Sequence, residues 1–274
     1  MPDIPSVRLA GGTSIPQVGF GVFKVPDDEV SRAVLKALEL GYRHVDTAAV
    51  YGNERGTGAA ILESGLARED IFLTTKLHPE HLGAANVPDQ FDASLERLGV
   101  DFVDLFLIHW PVPSKDLYVE TWEALQGLKQ AGRAREVGVS NFQIPHLERL
   151  REEVGVIPAI NQIELHPYLP QADLRAYHKE HGIVTQAWSP LAKGGDLLSE
   201  PVLVEIAGKH EHTPAQVLLR WHLQLGNVVI PKSVTPARMA ENLDIFGFEL
   251  SPQDFTDLAT LNNGHRTGSN PDSM

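Results

Sequence analysis

Cysteine is absent from this 274-residue chain. Its absence removes disulfide staples, thiolate metal sites and a cysteine nucleophile together. Long apolar runs are missing as well. The longest, Val103 to Trp110, is broken by Asp104 and His109, well short of the ~18 residues a membrane span needs. The opening Met1-Pro2-Asp3-Ile4-Pro5 lacks the basic and apolar regions of a secretory signal, so a cytoplasmic location is expected. Positive charge is scarce: 23 Lys and Arg against 36 Asp and Glu, a net −13. So acidic a chain repels nucleic acid and anionic membranes, which leaves a small molecule as the expected partner. An anionic ligand would need a local cluster of cations. No complete G-x-G-x-x-G occurs. Gly19-Phe20-Gly21 and Gly56-Thr57-Gly58 lack the third glycine, and the second pair falls in a helical stretch, which speaks against a Rossmann site.

What is present is alternation. Val18 to Phe20, Arg43 to Asp46, Ile71 to Thr75 and Val103 to His109 are short apolar runs. Val137 to Ser140, Ile160 to Leu165, Ile183 to Trp188 and Val228 to Ile230 complete eight. Their length and Val/Ile/Leu content suit strands buried on both faces. Helical stretches lie between them. Val30, Ala33, Val34, Ala37 and Leu38 form one apolar stripe, opened by Asp27 or Asp28 and closed by Gly41. Tyr118, Trp122, Leu125 and Leu128 form another, ending at Gly132. Thr213-Pro214 and Ser251-Pro252 read as capped helix starts, with Gln216 and Asp254 in capping-box positions. Eight strand–helix units without a linker predict one domain over 1–274, an α/β fold of the (β/α)8 TIM-barrel type. Val7 to Leu9 and Thr13 to Ile15 around Gly11-Gly12 predict a hairpin plugging the barrel bottom. Residues 262–274 predict a loop or tail.

In such a barrel reactive groups gather where strands end. Those ends carry Asp46, with Tyr51 five residues on, then Lys76 and His109. A free tyrosine, with a pKa near ~10, is a weak acid at neutral pH. A lysine ammonium beside the phenol favours its ionised form, and an aspartate keeps that lysine charged and oriented. A histidine can hydrogen-bond a carbonyl oxygen and fix its angle. The set suits proton donation to a developing alkoxide. With no Ser elbow and no Cys to attack carbon, a cofactor hydride is the expected nucleophile.

These residues sit in longer motifs. Gly41-Tyr42-Arg43-His44-Val45-Asp46-Thr47-Ala48, then Tyr51-Gly52-Asn53-Glu54, Thr74-Thr75-Lys76-Leu77, Asp104 to Pro111, Val137 to Phe142, Asn161-Gln162 and Ile230-Pro231-Lys232-Ser233 resemble the aldo-keto reductase family along nearly the whole chain. Within it the chain looks most like the bacterial branch that includes 2,5-diketo-D-gluconate reductases. The resemblance implies carbonyl reduction, a catalytic tetrad of Asp46, Tyr51, Lys76 and His109 with Tyr51 as general acid, a C-terminal tail near the active site, and a monomer.

Cofactor residues are expected at the remaining strand ends. After the last strand come Lys232, Ser233 and Val234; Thr235-Pro236 then opens a helix with Arg238 at its third position. A cation there opposes the helix dipole, which makes sense if a phosphate binds. The resemblance makes Lys232, Ser233 and Arg238 holders of a 2′-phosphate, hence NADPH rather than NADH. It makes Glu241 and Asn242 adenosine contacts, and Ser189 and Leu191 a pyrophosphate clasp. Ser140, Asn141 and Gln162 offer groups suited to a carboxamide, and Trp188 offers a flat face for the nicotinamide ring. Phe23, Tyr51, His109, Trp110 and the tail around Asn270 and Pro271 are expected to line the acceptor pocket. His78 is expected there too, where the branch often carries tryptophan; the loop Pro79 to Val87 departs from the pattern as well. Two rivals remain. One is a metal-dependent hydrolase using His44, Asp46, His109, Glu164 and His166; against it, Val18-Gly19-Phe20 lacks the His-x-His of a hydrolase first strand. The other is a cofactor-binding regulatory barrel with little turnover, against which the complete tetrad argues.

Overall fold

A computed structural model describes residues 4–274; of the opening segment read for a secretory signal, Met1, Pro2 and Asp3 lie outside the described residues. Strands β1 (Ser6–Arg8) and β2 (Ser14–Pro16) pair antiparallel. The main sheet contains β3 (Phe20–Gly21), β4 (His44–Asp46), β5 (Phe72–Leu77), β6 (Val103–Ile108) and β7 (Ala134–Ser140). It continues through β8 (Ile160–Glu164) and β9 (Val184–Trp188) to β10 (Val228–Val229). Each strand pairs in parallel with the next in chain order. The ring closes where Gly19 N donates to Val229 O at 2.8 Å and Val229 N to Gln17 O at 2.9 Å. The fold is a (β/α)8 barrel, and all eight expected strands are present with ends displaced by a few residues. Strand β7 starts three residues early, at Ala134; in the first of the eight, Val18 only bridges Val229, and the strand proper is Phe20–Gly21.

Side chains alternate across the barrel wall, as the pleat requires. Phe72, Leu105, Leu107, Ile160 and Val228 point inward and pack with Leu9 and Ile15 of the hairpin, which plugs the lower end. Leu73, Phe106, Ile108, Val137, Val139 and Ile163 point outward into the larger core beneath the helices. Burial of each such side chain stabilises by about 1.5–3 kcal/mol. Nearer the top the inward positions turn polar, with Asp46, Lys76, Gln162 and Gln186 all buried. The barrel is thus oily at the bottom and charged at the mouth.

The helices follow their stripes. Helix Asp27–Leu40 buries Val30, Ala33, Val34, Ala37 and Leu38 and stops at Gly41, whose φ of 110° favours glycine. Its first residue does not cap it: Asp27 Oδ1 accepts instead from Gly56 N at 2.9 Å. Thr213 and Ser251 both form complete capping boxes, the second with Asp254 in the usual Glu or Gln position. Gly56-Thr57-Gly58 lies inside helix Glu54–Glu63. A Cβ on Gly58 would fall 1.9 Å from Leu98 O, and one on Gly56 2.4 Å from Asp27 O. These glycines serve close helix packing. Among the described residues no helix is long and apolar enough to cross a membrane.

Candidate active site

The tertiary fold brings Asp46, Tyr51, Lys76 and His109 together. Asp46 ends β4, Lys76 lies near the end of β5, and His109 directly follows β6. Tyr51 arrives on the turn Ala49–Tyr51, which Gly52 terminates at φ 68°. Asn53 fastens that turn: its Nδ2 donates to Val22 O and Val25 O, both at 2.9 Å, and its Oδ1 accepts from Thr47 Oγ1 at 2.8 Å. The Lys76 ammonium, fully buried, spends its three protons on Asp46 Oδ1 at 2.6 Å, Thr47 O at 2.9 Å and Tyr51 OH at 3.4 Å. Asp46 Oδ2 accepts from Gln162 Nε2 at 2.7 Å. The Tyr51 and His109 rings meet edge to face with centroids 5.6 Å apart.

Charge in this cluster is set by burial and neighbours. Burial pulls the Lys76 ammonium down, but Asp46 and Tyr51 outweigh it and raise the group above its ordinary value. Burial also raises the Tyr51 phenol, and the opposing pull of Lys76 only partly offsets it. The lysine was expected to lower the phenol's value; in the folded chain desolvation is the larger effect. Tyr51 therefore keeps its proton at neutral pH. His109 is held neutral, well below the ordinary imidazole value, first by burial and then by the Lys76 charge. Its Nδ1 is buried without a hydrogen-bond partner.

A cavity of about 1270 Å³ opens from this cluster along the barrel mouth. Phe23, Asp46, Tyr51, His109 and Trp110 line it. So do Ser140, Asn141, Gln162, Trp188, Ser189 and Leu191, and Lys232, Ser233, Val234, Arg238, Glu241 and Asn242. Phe23, half exposed, leans on Tyr51 at 5.0 Å between centroids. Lys76 does not line the cavity; it stands behind Tyr51. His78 is displaced from the expected acceptor wall: it borders a separate depression of about 280 Å³ with Gly52, Arg55 and His81. There its Nδ1 accepts from Glu80 N at 3.1 Å, capping the turn Pro79–His81. The tail does reach the cavity, but through Thr267, Gly268 and Ser269. Asn270 instead caps the final turn, and Pro271 is buried beside the turn Pro113–Lys115.

The hydrolase set does not converge. His44 is turned down toward Pro16 O, at 3.3 Å, and Thr74, and Asp46 is taken by Lys76. Glu164 and His166 pair with each other at 3.0 Å. Among the described residues no three His, Asp or Glu side chains are grouped to hold a metal ion.

The sequence profile of the Aldo/keto reductase family matches residues 11–263. The chain belongs to that family. An aldo-keto reductase of Mycolicibacterium smegmatis is 56% identical over 267 residues, covering 97% of each chain. The methylglyoxal reductase DkgA of Salmonella typhimurium is 46% identical over 269 residues, covering 98% of this chain and 97% of its own. Among solved structures, an aldo/keto reductase from Brucella melitensis superposes with a TM-score of 0.91 at 54% identity, over 94% of this chain and all of its own. A Gox0644 mutant in complex with NADPH superposes with a TM-score of 0.94 at 44% identity, over 99% and 98%.

Several polar contacts of this reductase escape a linear reading. Asn141, at a left-handed φ of 65°, spends its amide on His109 O at 3.0 Å and Ser140 Oγ at 3.1 Å, and its oxygen on Trp188 Nε1 at 2.8 Å. Gln162 points one amide proton at Asp46 and another at Gln186 Oε1. Thr47, Asn53 and Gln186 thus support the cluster without having stood out. Asn53 was within reach, lying two residues past Tyr51 in the same motif. Gln186 carried no local signal beyond its place two residues before Trp188. Helix Pro236–Glu241 is only six residues long, so its dipole is small and attraction for an anion falls on Lys232 and Arg238.

Proposed function

We propose that this aldo/keto reductase uses NADPH to reduce aldehyde and ketone groups of small molecules, dicarbonyl compounds and keto sugars among them, with Tyr51 as general acid. One observation carries the reading: the Tyr51 side chain lines the large cavity, backed by the buried Lys76 ammonium 3.4 Å from its oxygen. The donor set fits the cofactor. Lys232 and Arg238 put two cations on the cavity lining in a chain of net charge −13, as recognition of a 2′-phosphate requires. Trp188, held by Asn141 Oδ1 at 2.8 Å, offers an aromatic face in the same cavity as Ser140, Asn141 and Gln162. Ser189, Leu191, Ser233, Val234, Glu241 and Asn242 line the cavity too, available to the pyrophosphate and adenosine parts of the cofactor. The NADPH complex of the Gox0644 mutant and the methylglyoxal reductase activity named for DkgA support the same assignment.

When bound, NADPH supplies the hydride that adds to the carbonyl carbon. The chain's own groups act on the oxygen. Neutral His109 has one N–H to hold the carbonyl in plane, and Tyr51 gives its proton as charge develops there, balancing the hydride and yielding the alcohol. Lys76, kept charged by Asp46, stabilises the phenolate that remains. Phe23 and Trp110 wall the acceptor end, which suits a small substrate with a polar centre. The reading takes residues 1–274 as one domain, monomeric and cytoplasmic. In its support, the exposed apolar side chains Phe23, Val50 and Val234 lie on the cavity rim and the rest are scattered.

Tyr51→Phe tests the assignment. Turnover of methylglyoxal and simple aldehydes should fall by about 10²–10⁴, while the Kd for NADPH stays within about twofold. Turnover within a few-fold of the parent would remove Tyr51 from the role.

A further inference from the structure

One buried carboxylate ties the C-terminal segment to the barrel mouth. Glu164, at the end of β8, is 1% exposed. Its Oε1 accepts from the Thr267 backbone N–H, from Thr267 Oγ1 at 2.6 Å and from His166 Nε2 at 3.0 Å, while Oε2 accepts from Gly268 N at 3.2 Å. Four donors on one carboxylate, in a dry setting, make a strong clamp. The Lys193 ammonium also reaches the Thr267 carbonyl, but from an exposed loop where such contacts hold little.

What the clamp holds lies directly beside it. In the β8–β9 register Glu164 pairs with Trp188, so carboxylate and indole are neighbours at adjacent strand ends. Gly268 is pressed between them: a Cβ there would fall 2.4 Å from Trp188 Cη2 and 3.4 Å from Glu164 Oε2. The indole is therefore pinned at both edges, by Asn141 Oδ1 on its Nε1 at 2.8 Å and by the Gly268 backbone on its far ring. The reaction itself makes no use of Glu164.

We propose that Glu164 is a positioning residue: by holding Thr267 and Gly268 against Trp188 it fixes the aromatic face on which the nicotinamide ring rests. The inference builds on the cofactor reading above. Only a carboxylate presents acceptors on both oxygens. An amide at the same place turns an N–H toward the donors of Thr267, Gly268 or His166, and the segment lifts.

The test compares the parent with Glu164→Gln and Thr267→Val, the second removing a single hydroxyl contact and leaving the buried pair with His166 intact. Calorimetry measures binding of NADPH and of adenosine 2′,5′-bisphosphate, which carries the phosphate end without the nicotinamide. Hydrogen exchange follows residues 264–270 in the cofactor-free protein. In both variants exchange should quicken there. In Glu164→Gln NADPH should bind about tenfold more weakly, the size of one charge-assisted hydrogen bond, and in Thr267→Val more weakly by a smaller factor. The bisphosphate should stay within about twofold. Unchanged NADPH affinity despite a loosened segment, equal weakening of both ligands, or unchanged exchange would each overturn the role of Glu164. A parent protein that binds neither ligand would instead overturn the cofactor reading. Should Glu164→Gln fail to fold, Thr267→Val decides alone.

Discussion

Replacing Lys76 by methionine strips the ammonium from the centre of the buried cluster while keeping most of the side chain's volume. Lys76 is completely buried and donates to Asp46, Thr47 O and Tyr51. Its loss leaves the Asp46 carboxylate with only Gln162 Nε2 opposite it. Removing one partner of a buried ion pair costs about 3–5 kcal/mol, because the remaining charge is uncompensated. For a chain of this length each kcal/mol lowers Tm by roughly 2–4 °C, so a fall of about 10 °C is expected. On the proposed role of Tyr51 as general acid, activity should drop by about 10²–10⁴, because its phenolate would lose a stabilising charge. Neutralising both partners, Asp46→Asn with Lys76→Met, should recover at least half of the lost stability and none of the activity. Thermal unfolding and NADPH oxidation measured on the parent, the two single variants and the double variant give the coupling directly. A double variant no more stable than Lys76→Met, or a single variant melting within about 2 °C of the parent, would refute the account of the buried pair.

Arg238→Ala should raise the Kd for NADPH much more than that for NADH; equal losses measured by titration would mean that the arginine does not read the 2′-phosphate. Burial would raise the Glu164 carboxyl, but hydrogen bonds from His166 and Thr267 outweigh it and hold the group at about 2, below its ordinary 4.5. The stability it contributes is thus complete above about pH 4.5 and lost as pH falls through about 2. Urea unfolding between pH 6 and 2 should show about 2 kcal/mol of acid-dependent loss, after allowance for screening, that Glu164→Gln lacks; parallel curves would exclude it. Gly58→Ala, whose Cβ would meet Leu98 O at 1.9 Å, should destabilise by about 1–3 kcal/mol. Gly127→Ala, in open space inside helix Tyr118–Gln130, should stabilise by about 0.5–1 kcal/mol; reversed signs in thermal unfolding would contradict the packing.

Much of the fold can be read along the chain because its cause is local. The stripe Val30, Ala33, Val34, Ala37 and Leu38 ends at a glycine, and helix Asp27–Leu40 is there. Thr213-Pro214 and Ser251-Pro252 start helices because a hydroxyl and a proline satisfy the first turn whatever surrounds it. Strand ends were blurred, as at Val18 to Phe20. There the pairing partner is Val229, some two hundred residues away, and its register leaves no local mark.

By itself the sequence determined the eightfold alternation, the acidic surface against which Lys232 and Arg238 stand out, and the residue types at the strand ends. Each follows from composition or from a period of two or 3.6 residues. Only the tertiary structure decided where side chains point and what they touch. It swung His78 out of the cavity, spent the Gln162 amide on Asp46, and let desolvation outweigh Lys76 at Tyr51. It also brought Thr267 and Gly268 back onto Glu164, about a hundred residues earlier in the chain. Burial and long-range contact depend on every element at once, so no stretch of sequence contains them.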